Sequence, residues 1–539
     1  MRLGVDLDNT LVCYDEAFLN FAREQQLVPE DWRGNKRQVR KYLREQSGDD
    51  EAWQRLQGQV YGKEIGKARL FPGVYRFLWR CKSRGIIVDV ISHKSEFGHF
   101  DQSRTPLRAS AIGFLEKAGI FCRSEKSLIN SVEFCSTREE KIASIARAQF
   151  DWFVDDLPEI LDDAEFPQNT VKFGYSPDRE TSFLSAQRVA SWVELEDIVL
   201  GHWSLRELGL LAGEVIGKDV QDVGWIGGRG NSGIAKFCTA EGVEAALKIY
   251  SDDTAHIRLH AEFESFKILR HYGEKRIPEG LGFCSRLNVG VYRWIVGEPV
   301  SLPDQSDISQ TLEFLERIHY LREKPEFKSF PSASAAVFSG WQLEQQIRQR
   351  IFLLRANTNS SLALSNYLDN SLVPVYETIL CWCRSRWPGE GFDQPISVDA
   401  RTLSPSDFGF HNALRIQDGN LHFLDFEYFG WDDPAKLAGD VLFHPAMKLP
   451  ANLKEKWTEG IRQIYGPDVI VRLRIMWGLI GISWCLILLN EFRADYWLRR
   501  TRAIGNEQLE QSLVLEKQLD CSRCLLSEIK SNYQNPLYL

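Results

Sequence analysis

Two sets of carboxylates, near opposite ends of the chain, carry the chemistry this sequence can do. The first is Asp6-Leu7-Asp8-Asn9-Thr10, directly after an apolar run that begins at Leu3. Alternate side chains of an extended segment share a face, so Asp6 and Asp8 point one way and Leu7 the other. A carboxylate at Asp6 can attack phosphorus and form an aspartyl-phosphate, while Asp8 protonates the leaving oxygen and then deprotonates water. Magnesium is needed to offset a phosphate held beside carboxylates. The second set is Asp407, Asn412 and Asp425, with Asn412 five residues after Asp407 and Asp425 thirteen further on. That spacing suits the opposite operation. A loop aspartate orients and deprotonates a substrate hydroxyl, while Asn412 and Asp425 hold magnesium on the phosphates of ATP.

Further residues extend the first set. Ser92 ends an apolar run and can hydrogen-bond a phosphoryl oxygen. Lys141, 14 residues before Asp155, can supply positive charge, with Lys94 as the alternative. Asp155-Asp156 ends another apolar run, and the metal-ligand candidates are Asp6, Asp8 and Asp155. An isolated Asp-x-Asp is common in loops; four elements in this order are a stronger signal. Residues 4–12, Gly-Val-Asp-Leu-Asp-Asn-Thr-Leu-Val, resemble the opening motif of the haloacid dehalogenase-like hydrolases. The resemblance implies a Rossmann-like α/β fold with Asp6 as nucleophile, Asp8 as acid/base and Asp155 as magnesium ligand. It also implies a phosphatase rather than a dehalogenase, since Asp8 is present.

Around the second set, Gly227-Gly228-Arg229-Gly230-Asn231-Ser232-Gly233 offers backbone N–H groups to nucleotide phosphates, with Gly228, Gly230 and Asn231 as the binding candidates. A plain hairpin turn fits those residues about as well, and no Gly-Lys-Ser/Thr follows to make a P-loop. Lys248 lies in an apolar strand and needs an anionic partner, which ATP phosphates and a helix glutamate would provide. Glu262 is the preferred glutamate, because Phe266 and Leu269 share its helix face; Glu264 is the alternative. Residues 217–500 resemble the aminoglycoside phosphotransferase and choline kinase-like family, a branch of the protein-kinase-like fold. Tyr292 to Glu298 resembles its segment joining the lobes, and Asp432-Asp433-Pro434 with Asp440 its acidic stretch. The family's His-Gly-Asp is here Pro405-Ser406-Asp407, so the usual histidine and glycine are absent. The resemblance implies Asp407 as base, Asn412 and Asp425 on magnesium, and ATP as donor, with GTP as the other option. Between Asp425 and Asp433 no protein-kinase activation segment is visible, which favours a small-molecule hydroxyl acceptor over protein.

These residues require two kinds of scaffold. The expected architecture is multidomain: an α/β domain over 1–195, a connecting helix over 196–216 and an α+β two-lobed domain over 217–539, divided near 300. In the first, strands over Leu3–Val5, Ile86–Ile91, Asp151–Val154 and near Val171–Phe173 alternate with helical patterns such as Glu139–Ala148, which implies a parallel sheet. Its ligands collect at the strands' carboxyl ends. A helical insertion over about 13–70 resembles a small cap. Its basic stretch, Trp32 to Lys41, is either a solvated helix face or a set of cations meeting an anionic substrate. In the second, Val223–Ile226 and Ala245–Tyr250 read as a hairpin, followed by a helix over His256–Tyr272. Beyond residue 305 the chain is mainly helical except around 410–427, with a surface loop over Pro325–Ser334.

At 539 residues, several cores are expected. A net charge of −9 argues against general nucleic-acid binding. The 11 cysteines suggest reduced thiols in a cytoplasmic protein, and the Cys521/Cys524 pair has no matching partner pair for zinc. Carboxylates arrive before any signal-peptide core could form, and Ile475–Leu489 is short for a membrane span, so a buried helix is expected there. The partners are then a small phosphate ester and a small hydroxyl acceptor, with oligomeric state left open. The leading expectation is a bifunctional phosphatase and kinase. A kinase with a regulatory first domain comes second, and a ligand-sensing scaffold third.

Overall fold

Apolar side chains on both faces of a strand mark burial from both sides, and Leu3, Val5, Val88, Val90, Phe153 and Val154 are all buried. They belong to a six-stranded sheet in the computed structural model, which describes every residue except 48–49, 101–102, 227–231, 251–253, 357–360, 388–390, 495, 498–509 and 539. The chain divides into two compact units, Met1–Glu207 and Leu208–Leu539. The boundary falls within the helix Leu205–Ile216, inside the segment expected to connect them.

The first unit's strands are β1 (Arg2–Val5), β2 (Ile87–His93), β3 (Ser131–Cys135), β4 (Trp152–Asp155), β5 (Val171–Tyr175) and β6 (Gln187–Val189). All pair in parallel, in the order β3-β2-β1-β4-β5-β6. Strand order reverses between β1 and β4, and the crevice beyond such a reversal is where doubly wound sheets hold ligands. Two strands were not expected from sequence, β3 and β6. Both lie on or toward an edge, and β3 exposes Ser131 and Glu133, so its apolar signal is diluted.

Between β1 and β2 lie the helices Asp15–Glu24, Lys36–Ser47 and Glu51–Tyr61. A two-residue antiparallel ribbon pairs Val12 with Leu70 and Cys13 with Arg69, so the insertion leaves and rejoins the sheet at one place. Phe18 stacks on Trp53 at 4.9 Å, and Tyr14 meets Tyr61 edge-on at 4.7 Å, giving it an aromatic core of its own.

The second unit is α+β and two-lobed. One lobe is an antiparallel sheet of β7 (Val220–Trp225), β8 (Ser232–Thr239), β9 (Glu244–Tyr250), β10 (Gly280–Cys284) and β11 (Val289–Arg293), ordered β10-β11-β9-β8-β7 and packed against the helix Ala255–His271. The direct hairpin expected between Val223–Ile226 and Ala245–Tyr250 is corrected: β8 lies between them and pairs with both. Its Ser, Lys, Cys and Thr residues conceal the alternation that buries Ala235 and Phe237. Glu298–Pro299 then pairs with Ala413–Arg415, which carries the chain into a mainly helical lobe. Part of the expected loop over Pro325–Ser334 is a short helix, Pro325–Lys328, that buries Phe327.

The helix Pro467–Leu488 has the length and apolarity of a membrane span. It is longer than the apolar run first suggests because Pro467 starts it and Val469, Ile470 and Leu473 extend the buried face. It packs in the core against the helices Pro434–Phe443, Gly340–Arg355, Val373–Arg386 and Gln511–Asn532.

Candidate functional site

Parallel register builds the first site. Val5 pairs with Val154, which sets Asp6 level with Asp155, and Val5 pairs with Val90, which puts Ser92 one residue past that level. Lys141, from the helix Arg138–Ala148, donates to Asp6 Oδ1 at 2.7 Å and Asp155 Oδ2 at 2.6 Å with its ammonium fully buried. The other Asp155 oxygen accepts the Leu157 N–H at 3.0 Å. Ser92 Oγ is buried and has no partner among the described residues, so it can meet an oxygen of a ligand.

Carboxylate oxygens of Asp6, Asp155 and Asp156 lie within 4.8 Å of one another. Burial, and then the charges of Asp155 and Asp6, push the Asp156 carboxyl up to about 8. Burial outweighs Lys141 at Asp155 and raises it to about 6. Three carboxylates crowded together, with Asp155 and Asp156 inclined to keep protons, are a donor set that a hard divalent cation relieves, so these residues fit magnesium.

Asp8, expected among the ligands, lies outside that cluster and has partners of its own. Lys94 donates to its Oδ2 at 2.7 Å and the Tyr14 hydroxyl to its Oδ1 at 2.7 Å. Burial opposes the charge of Asp8, but Lys94 and Tyr14 hold its carboxyl below the ordinary range. The two lysines weighed as alternatives therefore serve different carboxylates, Lys141 on Asp6 and Lys94 on Asp8. Sequence reading assigned no role to Tyr14 or Tyr61 and took Lys36 only as one of the basic stretch Trp32 to Lys41, because their placement depends on the insertion folding back.

The second site is centred on Lys248 in β9. Its ammonium bonds Glu262 Oε2 at 2.6 Å and Asp425 Oδ1 at 2.6 Å, and lies 3.1 Å from Glu427 Oε2. Glu262 is thereby distinguished from Glu264, which faces solvent and pairs with Lys267 at 3.0 Å. The Tyr250 hydroxyl also donates to Glu262, and Arg258 fixes Glu427 at 2.8 Å. Burial outweighs Lys248 at Asp425 and raises its carboxyl to about 7. At Glu427 burial is outweighed by Lys248 and Arg258, which hold it near 2. Oxygens of Glu262, Asp425 and Glu427 lie within 4.8 Å of one another, again a set that fits a hard cation. Glu427 and Arg258 went unassigned in the sequence. The signal for Glu427 was its alternation with Asp425 across Phe426.

Asp407 stands on a loop after the strand Thr402–Ser404, its side chain about 39% exposed and so open to a ligand. Ser406 takes the left-handed backbone, φ 68°, at the place where the resembled family carries glycine. The Ser404 hydroxyl accepts its N–H at 3.0 Å, and its own hydroxyl donates to Ser334 O at 3.1 Å. His411 Nε2 sits 3.0 Å and His444 Nε2 3.7 Å from Asp407 Oδ1. Burial opposes the charge of Asp407, yet His411 and His444 keep its carboxyl below the ordinary range. Asn412 donates its amide to Asp407 O at 3.0 Å, so it clamps this loop. Asp440 accepts from Trp484 at 2.9 Å and from Lys436 at 2.6 Å, and Trp484 meets His444 edge-on, so the acidic stretch braces the loop from behind. The candidates Gly228, Gly230 and Asn231 lie outside the described residues.

No family model matches the chain, and no curated protein does. Among solved structures, a spectinomycin phosphotransferase in complex with ADP and spectinomycin aligns at 13% identity over 62% of this chain and 99% of its own, with a TM-score of 0.42. A macrolide 2'-phosphotransferase from Brachybacterium faecium aligns at 16% identity over 56% of this chain and 99% of its own, TM-score 0.38. A Plasmodium vivax ethanolamine kinase aligns at 13% identity over 57% and 83%, TM-score 0.37.

Proposed function

We propose that the second unit transfers phosphate from a magnesium-bound nucleoside triphosphate, ATP or GTP, to a hydroxyl of a small molecule such as a sugar or amino alcohol. The observation that carries this reading is Lys248, held between a helix glutamate and Asp425, with the accessible Asp407 on a loop joined to the Asp425 segment. The Asn412 carbonyl accepts the Leu424 N–H at 2.8 Å, which links the two aspartates. Lys248 supplies charge for nucleotide phosphates, Asp425 and Glu427 are the residues that would hold magnesium, and Asp407 accepts the hydroxyl proton. Bound magnesium would neutralise charge developing on the transferred phosphoryl group. This chemistry is assigned to the cytoplasm, where the donor nucleotide is supplied. Incubating the protein with Mg·ATP or Mg·GTP and a panel of hydroxylated metabolites tests the reading. Product should form with the wild type and vanish in Asp407→Asn with folding intact; equal product from the variant would sink the assigned base.

One observation favours a second activity in the first unit: Lys141 bridges Asp6 and Asp155 while Lys94 and Tyr14 hold Asp8 apart from them. That separation suits a haloacid dehalogenase-like phosphatase, with Asp6 as the nucleophile and Asp8 as the group that moves protons. Asp6, Asp155 and Asp156 would hold magnesium. Release of phosphate from p-nitrophenyl phosphate, abolished in Asp6→Asn, is the expected result. No release from it or from a panel of sugar phosphates would leave the kinase with a regulatory first unit.

A further inference from the structure

Beside the first carboxylate set lies a cavity of about 280 Å³, walled by the helical insertion and by the loops after β4 and β5. Asn9 and Asp156 connect it to the aspartates, while Lys36, Arg40, Trp53 and Tyr175 line it farther out. The insertion therefore contributes cations and rings to a space adjoining Asp6's partners.

Two of those cations are poorly neutralised. Lys36 Nζ donates to Asn9 Oδ1 at 2.8 Å and to the Tyr61 hydroxyl at 2.6 Å, both uncharged acceptors. It lies over the rings of Tyr61, Phe18 and Tyr14 at 5.2, 5.5 and 6.0 Å. Among the described residues it makes no ion pair, and burial lowers its pKa against the more distant charges of Asp156, Asp8 and Asp15. A partly buried ammonium whose direct contacts are neutral oxygens and ring faces is costly, and an anion would offset that cost. Among the described residues Arg40, one helical turn on and so on the same face, comes no nearer to a carboxylate than 3.9 Å from Asp50 Oδ2. Arg44 takes both oxygens of that aspartate at 2.5 Å. Arg37 differs, being tied to Asp178 at 3.1 Å and Thr181 at 2.7 Å.

We propose that this cavity receives a second anionic group of the substrate, so that the first unit takes small phosphate esters that also carry a carboxylate or another phosphate. The proposal rests on the reading of Asp6 as a phosphoryl site. The cavity volume, just under the range of about 300–1,000 Å³ that holds drug-sized ligands, confines the substrate to a small metabolite. Trp53 and Tyr175, both almost wholly buried, form part of the cavity wall.

Calorimetry on the Asp6→Asn protein with magnesium tests this without turnover, using two ester pairs. These are 3-phosphoglycerate against glycerol 3-phosphate, and fructose 1,6-bisphosphate against fructose 6-phosphate. In at least one pair the ester with the extra anion should bind about tenfold or more tighter, a difference of about 1.4 kcal/mol. The pair that shows the gap identifies the second group as carboxylate or phosphate. Adding Lys36→Met or Arg40→Met should shrink the gap to about threefold or less; Arg40 is exposed, so its variant serves if the lysine variant fails to fold. Equal affinities within both pairs, or a gap that survives both substitutions, would overturn the second-anion site. Hydrolysis by the wild type is scored separately. A binding gap without hydrolysis overturns only the phosphatase reading, and hydrolysis of all four esters without a gap overturns only this one.

Discussion

The rings of His411 and His444 stack with centroids 3.8 Å apart and planes 5° from parallel, and each turns Nε2 toward the same oxygen of Asp407. Their tautomers follow from the opposite nitrogens. His444 Nδ1 accepts the Ala446 N–H at 3.2 Å and is therefore unprotonated. Among the described residues His411 Nδ1 is buried without a partner, where a lone pair costs less than a stranded N–H. Both Nε2–H dipoles then point at Asp407 Oδ1, which leaves Oδ2 for a substrate hydroxyl. Burial, and then the neighbouring His411, push His444 down to about 4, so His444 stays neutral at physiological pH.

His411→Phe keeps the ring stack and removes the closer donor. A hydrogen bond to a charged group is worth about 1.5–3 kcal/mol, so kcat for nucleotide-dependent phosphorylation should fall roughly ten- to a hundredfold. Asp407 acts as a carboxylate, and losing a donor raises its pKa. The acid limb of the pH–rate profile should therefore move to higher pH while nucleotide affinity holds. A drop in kcat with an unmoved acid limb would reduce His411 to a packing role.

This brace also marks how far sequence reading reaches. Asp407, Asn412 and Asp425 are legible because loop spacing is local, and Asp6 with Asp155 because each follows an apolar strand. The pair of histidines that braces Asp407 was not legible. His411 was in plain view in the loop, but His444 is 33 residues on and meets Asp407 only when the helix Pro434–Phe443 docks. In the same way Lys36 reaches Asn9 only after the insertion folds back. The strands β3, β6 and β8 escaped because polar residues on them interrupt the apolar alternation.

Lys248→Met removes the one ammonium among Glu262, Asp425 and Glu427. Stripping a buried charge cluster of its counter-charge costs about 3–5 kcal/mol. The loss should shrink at mildly acidic pH, because Asp425, already raised to about 7, then takes a proton and lowers the repulsion. Thermal melts of wild type and variant at pH 8 and pH 5.5 would show it. A Tm difference independent of pH would argue against a charge effect.

Arg80 ties two buried glutamates together, Glu196 at 2.9 Å and Glu207 at 3.0 Å, and Arg84 adds a bond to Glu207 at 2.6 Å. Burial resists the charge of Glu207, but Arg84 and Arg80 outweigh it and pull the carboxyl down to about 2 from its ordinary 4.5. A depressed carboxyl contributes stability above its unfolded pKa and loses it as pH falls through the folded one. Glu207 should therefore contribute on the order of 3 kcal/mol at neutral pH, fading between about pH 4.5 and 2. In Glu207→Gln the first unit should melt lower at pH 7, and the gap to wild type should close toward pH 3. A gap that stays constant across that range would count against this linkage.

Lys141 presents the same problem in the first unit with a different remedy. Its ammonium is the internal cation for Asp6 and Asp155, and Asp156 stands within the same oxygen cluster. Lys141→Met leaves three carboxylates facing one another, and breaking a buried pair in this way costs about 3–5 kcal/mol. Magnesium can offset the same negative charge, since a ligand that binds only the folded state stabilises it by mass action. The variant should melt well below wild type in EDTA and recover much of the difference when magnesium is added, whereas wild type should gain less. Phosphate release should stay lost in the variant even when magnesium restores its fold, because the charge against Asp6 during phosphoryl transfer is gone. Equal magnesium shifts in both proteins would show that Asp6, Asp155 and Asp156 do not share a cation, and the magnesium assignment in the first unit would fall with that result.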